Sequence, residues 1–233
     1  MNAFVLKIIA CFTMFIDHVG YIVFDGHSSW FNYVGRLAFP IFAFQISEGY
    51  IYTHDVKKYL LRLILFAFIS QIPFLLFHSI INNELGLNVI FTLFLGLIAI
   101  IIYDKYNKFV GVFSAIIFGI IAHFLNSDYS FYGVGITFLF YVFNKNKCLL
   151  AISFIIATLM QYSYLILVYY NYGFEFLKNV FIIYLPYFIC TIFSIIIILC
   201  YNKKKGPSTK YFFYLFYPLH MILIYILSFV LQN

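Results

Sequence analysis

The chain has 233 residues, 65% of them hydrophobic and only 9% charged, with a mean hydropathy of +1.00. No water-facing surface carries that composition, so the chain belongs in lipid and a sizeable soluble domain is excluded. A net charge of +6 in such a chain reports topology and attraction to anionic lipid, and gives no sign of nucleic-acid binding.

The apolar runs are long and continuous and do not alternate with period two, which favours helices over barrel strands. At about 20 residues per span, we expect an all-α, polytopic membrane protein of about nine transmembrane helices, at roughly 5–24, 31–51, 59–79, 87–103, 109–126, 131–143, 148–170, 179–201 and 211–231. No break is long enough for a soluble insertion, so residues 1–233 read as one transmembrane domain.

The first helix carries Asp17 and His18 side by side near the middle of its apolar run. Ionisable groups in hydrocarbon cost a few kcal/mol each on insertion scales, about 2.5–3.5 at the helix centre, so a pair kept there points to use. Lys7 and His18 share one helical face, about 16 Å apart along the axis, and Ala10, Thr13, Asp17 and Gly20 form a neighbouring stripe of small or polar residues suited to close helix approach. Successive side chains diverge by about 100°, which disfavours a direct Asp17–His18 bond. The segment is too long and too polar for a cleavable signal peptide.

The second helix offers Arg36 as an ion-pair partner for Asp17. Its Pro40 should free the carbonyl near Arg36 and kink the helix there. Glu48, near the basic end, either bonds Tyr52 or Arg62 or reaches water. Lys57, Lys58 and Arg62, with Lys203–Lys204–Lys205, make a basic rim. It suits the phosphates of a nucleotide-bearing acyl donor such as acetyl-CoA and equally suits anionic lipid, which the rim taken alone favours. Asn88 and Thr92, His123 and Asp128, and Tyr217-Pro218-Leu219-His220 complete the polar inventory at membrane depth, with Gln71 and His78 as weaker features. The sixth helix is short, and Gly133 and Gly135 suggest an irregular start lining a cavity.

Twelve of the 14 basic residues fall on alternate loops with Lys7, which places the amino terminus in the cytoplasm and the carboxyl terminus outside. Asp25, Glu84, Asp128 and Glu175 fall on the opposite side, with Lys178 the basic exception. Trp30, Tyr33, Tyr50, Tyr52 and Tyr103 lie where interfacial anchors are expected. Cys11, Cys148, Cys190 and Cys200 offer no outer-loop disulfide and no metal-type spacing, and no metal site is expected. HExxH and Gly-x-Ser-x-Gly are both absent, which disfavours intramembrane metalloprotease and serine-protease readings.

Seven ordered strings resemble the TraX family: Leu6–Ala10 with Met14–Gly20, Gly35–Phe44, Glu48–Tyr50, Tyr59–Leu63, Gln71–Phe74, Asn88–Thr92 and Tyr217–His220. The family is associated with amino-terminal acetylation of conjugative pilin subunits. It resembles in turn the wider membrane acyltransferases, including acyltransferase-3 proteins and heparan-α-glucosaminide acetyltransferase. The basic residue and histidine of their first helix correspond to Lys7 and His18, with Lys here where Arg is frequent.

The resemblance implies an acetyltransferase of the bacterial cytoplasmic membrane that moves acetyl from cytoplasmic acetyl-CoA to an amine or hydroxyl of an extracytoplasmic peptide or glycan. In it His18 acts as general base or transient acyl carrier, Asp17 supports it, and Arg36, Asn88 or a backbone donor near Pro40 stabilises the oxyanion. Lys7, Glu48, Lys57, Lys58, Arg62 and His220 are the candidate donor-binding residues, with membrane lipid the remaining partner. Two other classes stay open: a proton-coupled transporter or flippase switched by Asp17, His18 and Arg36, and a scaffold whose polar residues only hold helices together.

Overall fold

The computed structural model describes residues 1–24, 30–81, 86–169, 174–207 and 210–231, with backbone only at 165–166, 168–169, 174–180, 210–213 and 231. Asp25 and Glu84, and the side chains of Glu175, Lys178 and Lys210, lie outside the described residues. The elements are α1 (Ala3–Val23), α2 (Trp30–Gly35), α3 (Ala38–Tyr52), α4 (Val56–Ile80), α5 (Val89–Lys105), α6 (Lys108–Phe124), α7 (Ser130–Val142), α8 (Lys147–Tyr169), α9 (Phe174–Leu199) and α10 (Lys210–Leu231). Among the described residues there is no strand, and the one bridge joins Leu87 to Ser127. Four helices, including α1 and α4, are long and apolar enough to cross a membrane by themselves, and α6, α7 and part of α10 are shorter apolar helices. That inventory fits a multi-pass α-helical membrane protein.

The helices follow the expected order with one difference. The second expected span is two helices, broken at Arg36–Leu37. Pro40 does not kink a continuous helix; it sits in the first turn of α3, where a missing N–H costs little. The carbonyl it cannot serve, four residues back, is that of Arg36, and the chain breaks there. A guanidinium is thereby delivered on a turn at membrane depth.

α3 is the central helix, packed against α1, α5, α7 and α9. Residues from Ala38 to Tyr50 are buried around most of its circumference, as expected of a helix enclosed by others. α4 packs on α10 and α5 and meets α1 and α3 only sparingly, leaving a seam between the pairs α1–α3 and α4–α10. The outward faces of α4 and α6 carry exposed Phe68, Ile72, Phe109 and Phe113, as lipid contact requires.

The ends of the bundle differ in chemistry. At the end bearing most of the lysines, Met1 donates its amino group to Cys200 O at 2.7 Å, and Lys147 Nζ reaches Leu199 O at 2.9 Å. Asp104 accepts from both Tyr50 and Tyr141 at 2.7 Å. Tyr50 is therefore a buried tie, not the interfacial anchor its position suggested, whereas Trp30 and Tyr52 are exposed. At the far end, Leu87 N donates to Asn126 O and Asp128 N to Leu87 O, locking the loop before α5 to the loop before α7. Gly86 permits this approach, since a side chain there would strike the Asn126 carbonyl. The irregular start expected for the sixth span comes from Asn126, Tyr129 and Ser130, all at positive φ, and not from Gly133, which is packed against Thr92 and Phe39.

Candidate functional site

The centre of the site is a hydrogen-bonded chain of two imidazoles. His220, on α10 two residues after Pro218, has Nδ1 at 2.8 Å from Phe216 O. A carbonyl only accepts, so Nδ1 carries the proton and Nε2 keeps its lone pair. His18 Nδ1 stands 2.8 Å from that Nε2 and must be the donor. By elimination His18 Nε2 is left as a base: the network assigns both tautomers. Phe77 of α4 meets the His18 ring edge-on at 4.8 Å, and Phe216 stacks on His220 at 4.9 Å. His220 is 4% exposed, whereas His18 is only partly covered.

Asp17 turns away from His18, as helical geometry requires, and receives Asn32 Nδ2 of α2 on Oδ1 at 3.0 Å. The same amide reaches the Asp17 carbonyl at 3.2 Å. Asp17 lies directly on the Gly35 backbone.

The expected Asp17–Arg36 ion pair does not form. Among the described residues the one pair within 4.0 Å is Lys58–Asp55, at 3.2 Å. Arg36 instead donates Nη2 to the Tyr21 hydroxyl at 3.2 Å and lies over the Tyr187 ring at 4.9 Å. Tyr21 sits one turn beyond Asp17 on α1, so it intercepts the guanidinium that charge alone would send to the carboxylate. Arg36 Nε is buried without a partner.

Asn88 is completely buried and committed elsewhere. Its Oδ1 caps α5 through Ile90 N at 3.0 Å, and its Nδ2 donates to Ala67 O and Gln71 Oε1 at 2.8 and 2.9 Å. With both amide hydrogens spent it has none for an oxyanion, and its place is that of a helix cap.

The candidate donor-binding residues divide. Lys57 and Lys58 are exposed at the start of α4, and Asp55 caps that helix through Lys58 N at 2.9 Å. The Lys58 backbone N–H and ammonium hold the Asp55 carboxyl below its usual range. Lys7 stands near Cys11 and Lys205. Glu48 is hydrogen-bonded to Tyr201 rather than to Tyr52 or Arg62. His220 is not part of this end at all; it belongs to the relay.

Between rim and relay, several buried polar atoms have no partner: Gln45 Oε1, Ser47 Oγ and Glu48 Oε2 on α3, and Arg62 Nε and Ser70 Oγ on α4. Arg62, Phe66, Ser70 and Phe77 fall within about 80° on α4, so one face runs from the rim to the ring that touches His18.

On the far side, a cavity of about 300 Å³ is lined by Phe74, His78, His123, Asp128, Tyr129 and Ser130, among others. Tyr129 stacks on Phe39 at 3.7 Å. Phe77 also touches His78, at 5.4 Å, so a single aromatic layer separates cavity from relay. Asp128 opens to the cavity, yet surrounding protein pushes its carboxyl up to about 6, with Arg36 opposing. The inventory of membrane-depth residues contains His78 and Asp128, but nothing in their spacing joins them into a site.

These features define a polytopic helical membrane protein with a sequestered histidine base between two chemically different mouths. A family model described as TraX protein matches residues 3–228, and the chain belongs to the TraX family. It is 30% identical to a probable fimbrial assembly protein, FimC of serogroup H1, from Dichelobacter nodosus, across 96% of this chain and 94% of that one. No solved structure matches.

Proposed function

We propose that the chain is a membrane acetyltransferase. It takes acetyl from acetyl-CoA on the cytoplasmic side and passes it to an amine or hydroxyl of an extracytoplasmic acceptor, in a role tied to pili or fimbriae. The observation that carries this is the tautomeric chain Phe216 O, His220, His18, which leaves His18 Nε2 as a base inside the bundle. A base held in one tautomer by a second group is the arrangement general-base catalysis needs. Here an imidazole and a carbonyl do the work that a carboxylate does in hydrolytic triads.

The orphaned atoms on α3 and α4 supply the fit for the donor. A buried polar atom without a partner costs about 1–3 kcal/mol, so a row of them suits a long molecule rich in amides and phosphates. Lys57, Lys58, Lys7 and Arg62 would hold the phosphates, and Ser47 and Ser70 the amide groups further in. A carboxylate repels phosphate, so Glu48 Oε2 suits an amide N–H. The donor supplies an activated acetyl thioester. His18 Nε2 holds the proton that the attacking group gives up as its bond to carbon forms, and returns it to the departing sulfur. Arg36 Nε is the unspent donor best suited to the developing oxyanion. The shared use of a basic residue and histidine on the first helix supports a place among the wider membrane acyltransferases.

The test is acetyl transfer by purified protein in nanodiscs, with acetyl-CoA and an amine-bearing peptide. His18→Ala should lower kcat by about 10²–10⁴, the worth of a positioned general base. Full turnover by that variant removes His18 from the mechanism. Transport of substrate without covalent change would favour the protonation-switch reading instead.

A further inference from the structure

We propose that the far-end cavity is the receiving site for the acceptor, that it takes a primary ammonium group, and that Asp128 is the residue that selects it. This rests on the acetyltransferase reading and adds to it the place and chemistry of acceptor recognition.

The lining is rich in acceptors and poor in donors. Asp128 has its backbone fixed at both ends: its N–H donates to Leu87 O at 2.9 Å, and its carbonyl accepts Thr92 Oγ1 at 2.5 Å. Thr92 is itself completely buried and also bonded to Ser127 Oγ at 3.0 Å. The side chain is thus presented into the cavity from a rigid point. Its carboxylate receives the Tyr129 backbone N–H, and among the described residues no cationic side chain stands within ion-pair distance of it.

Across the cavity His78 commits Nδ1 to Phe74 O at 2.9 Å, so its Nε2 remains an acceptor by the same argument that assigns His18. The Asn126 side-chain oxygen and the Ser130 hydroxyl add further acceptors at the wall. An ammonium brings three donors and one positive charge, which matches one carboxylate and neutral lone pairs; a phosphate or carboxylate ligand meets repulsion here. The basic end shows the opposite balance. Donor and acceptor are thereby sorted by charge to opposite mouths, with His18 one aromatic layer from the second.

Two sources share this chemistry: the free amino terminus of a peptide and the ethanolamine headgroup of a lipid. The test uses the full chain in nanodiscs of phosphatidylcholine, without acyl donor. Binding is measured for a short peptide with a free amino terminus against its N-acetylated form, and for a short-chain phosphatidylethanolamine against the choline counterpart. The expected result is tighter binding of the free amine in at least one arm, by roughly tenfold or more, the size of a charge-assisted hydrogen bond. Asp128→Asn should abolish the preference, and Asp128→Glu should restore most of it. His123→Arg, which sets a positive charge at the wall from an exposed side chain, should weaken the free amine and spare the blocked one, and it decides the matter if Asp128→Asn does not fold.

Equal binding of free and blocked probes, or a preference that survives both Asp128→Asn and His123→Arg, overturns the proposal. The two readings fail separately. Amine preference without any acetyl transfer sinks the enzyme and keeps the site; transfer with an unchanged acceptor KM in Asp128→Asn sinks the site and keeps the enzyme.

Discussion

His18 stands out in the sequence because a titratable ring in hydrocarbon needs a reason. Its partner does not. Residues 18 and 220 lie 202 positions apart, and no periodicity joins them; only the packing of α1 on α10 does. His220 therefore read as one polar residue among several, grouped with the basic rim. Arg36 shows the converse, since opposite charges suggested a pair with Asp17 and a tyrosine hydroxyl one turn away took the guanidinium. The relay makes a prediction that needs no substrate. Nitrogen-15 NMR of histidine-labelled protein near neutral pH should find both His18 and His220 as the Nδ1–H tautomer. His220→Ala should free His18 to exchange tautomers while lowering kcat less than His18→Ala does and leaving the acceptor KM unchanged. An Nε2–H signal for His18 in the intact protein would break the chain of donors on which its basicity depends.

At the scale of elements, the order and number of apolar runs were legible because lipid demands them, and the proline at position 40 marked the weak point of the second run. What was not legible was that the run would break completely, because the reward for breaking it lies in other elements: Asn32 on the short α2 bonds Asp17, and Arg36 on the turn meets α1 and α9. The α1–α2 contact depends on Gly35. A methyl group there would overlap Cβ and Cγ of Asp17, atoms too close to their own backbone to swing aside. Gly35→Ala should therefore push α2 from α1, break the Asn32 bonds and destabilise the protein by about 1–3 kcal/mol, as overpacking does. Gly135→Ala is the matched control, because nothing stands within 4 Å of a side chain at that position. Thermal unfolding in nanodiscs should show a clear drop in Tm for the first and little change for the second. Equal behaviour of the two would mean that α2 is free to rotate about α1.

For the molecule as a whole, the proposed reaction has a directional requirement that chemistry at one residue cannot satisfy. Acetyl-CoA is made and kept in the cytoplasm, so the lysine-rich end must face inward and the cavity with Asp128 outward; the reverse orientation would present the ammonium site to the wrong compartment. The lysine distribution along the loops already argues for this, and the structure adds native reporters. Cys148 and Cys200 are free and exposed, and both lie at the lysine-rich end, while Cys11 is buried. A membrane-impermeant maleimide applied to intact cells should leave Cys148 and Cys200 unmodified and should label them once the membrane is permeabilised. In a background lacking those two thiols, Leu125→Cys, at an exposed position closing α6 at the far end, should be labelled from outside without permeabilisation. If instead Cys148 and Cys200 react in intact cells and Leu125→Cys does not, donor and acceptor would enter from the wrong faces. The mouths would then have to exchange roles, which the carboxylate at one and the lysines at the other do not allow.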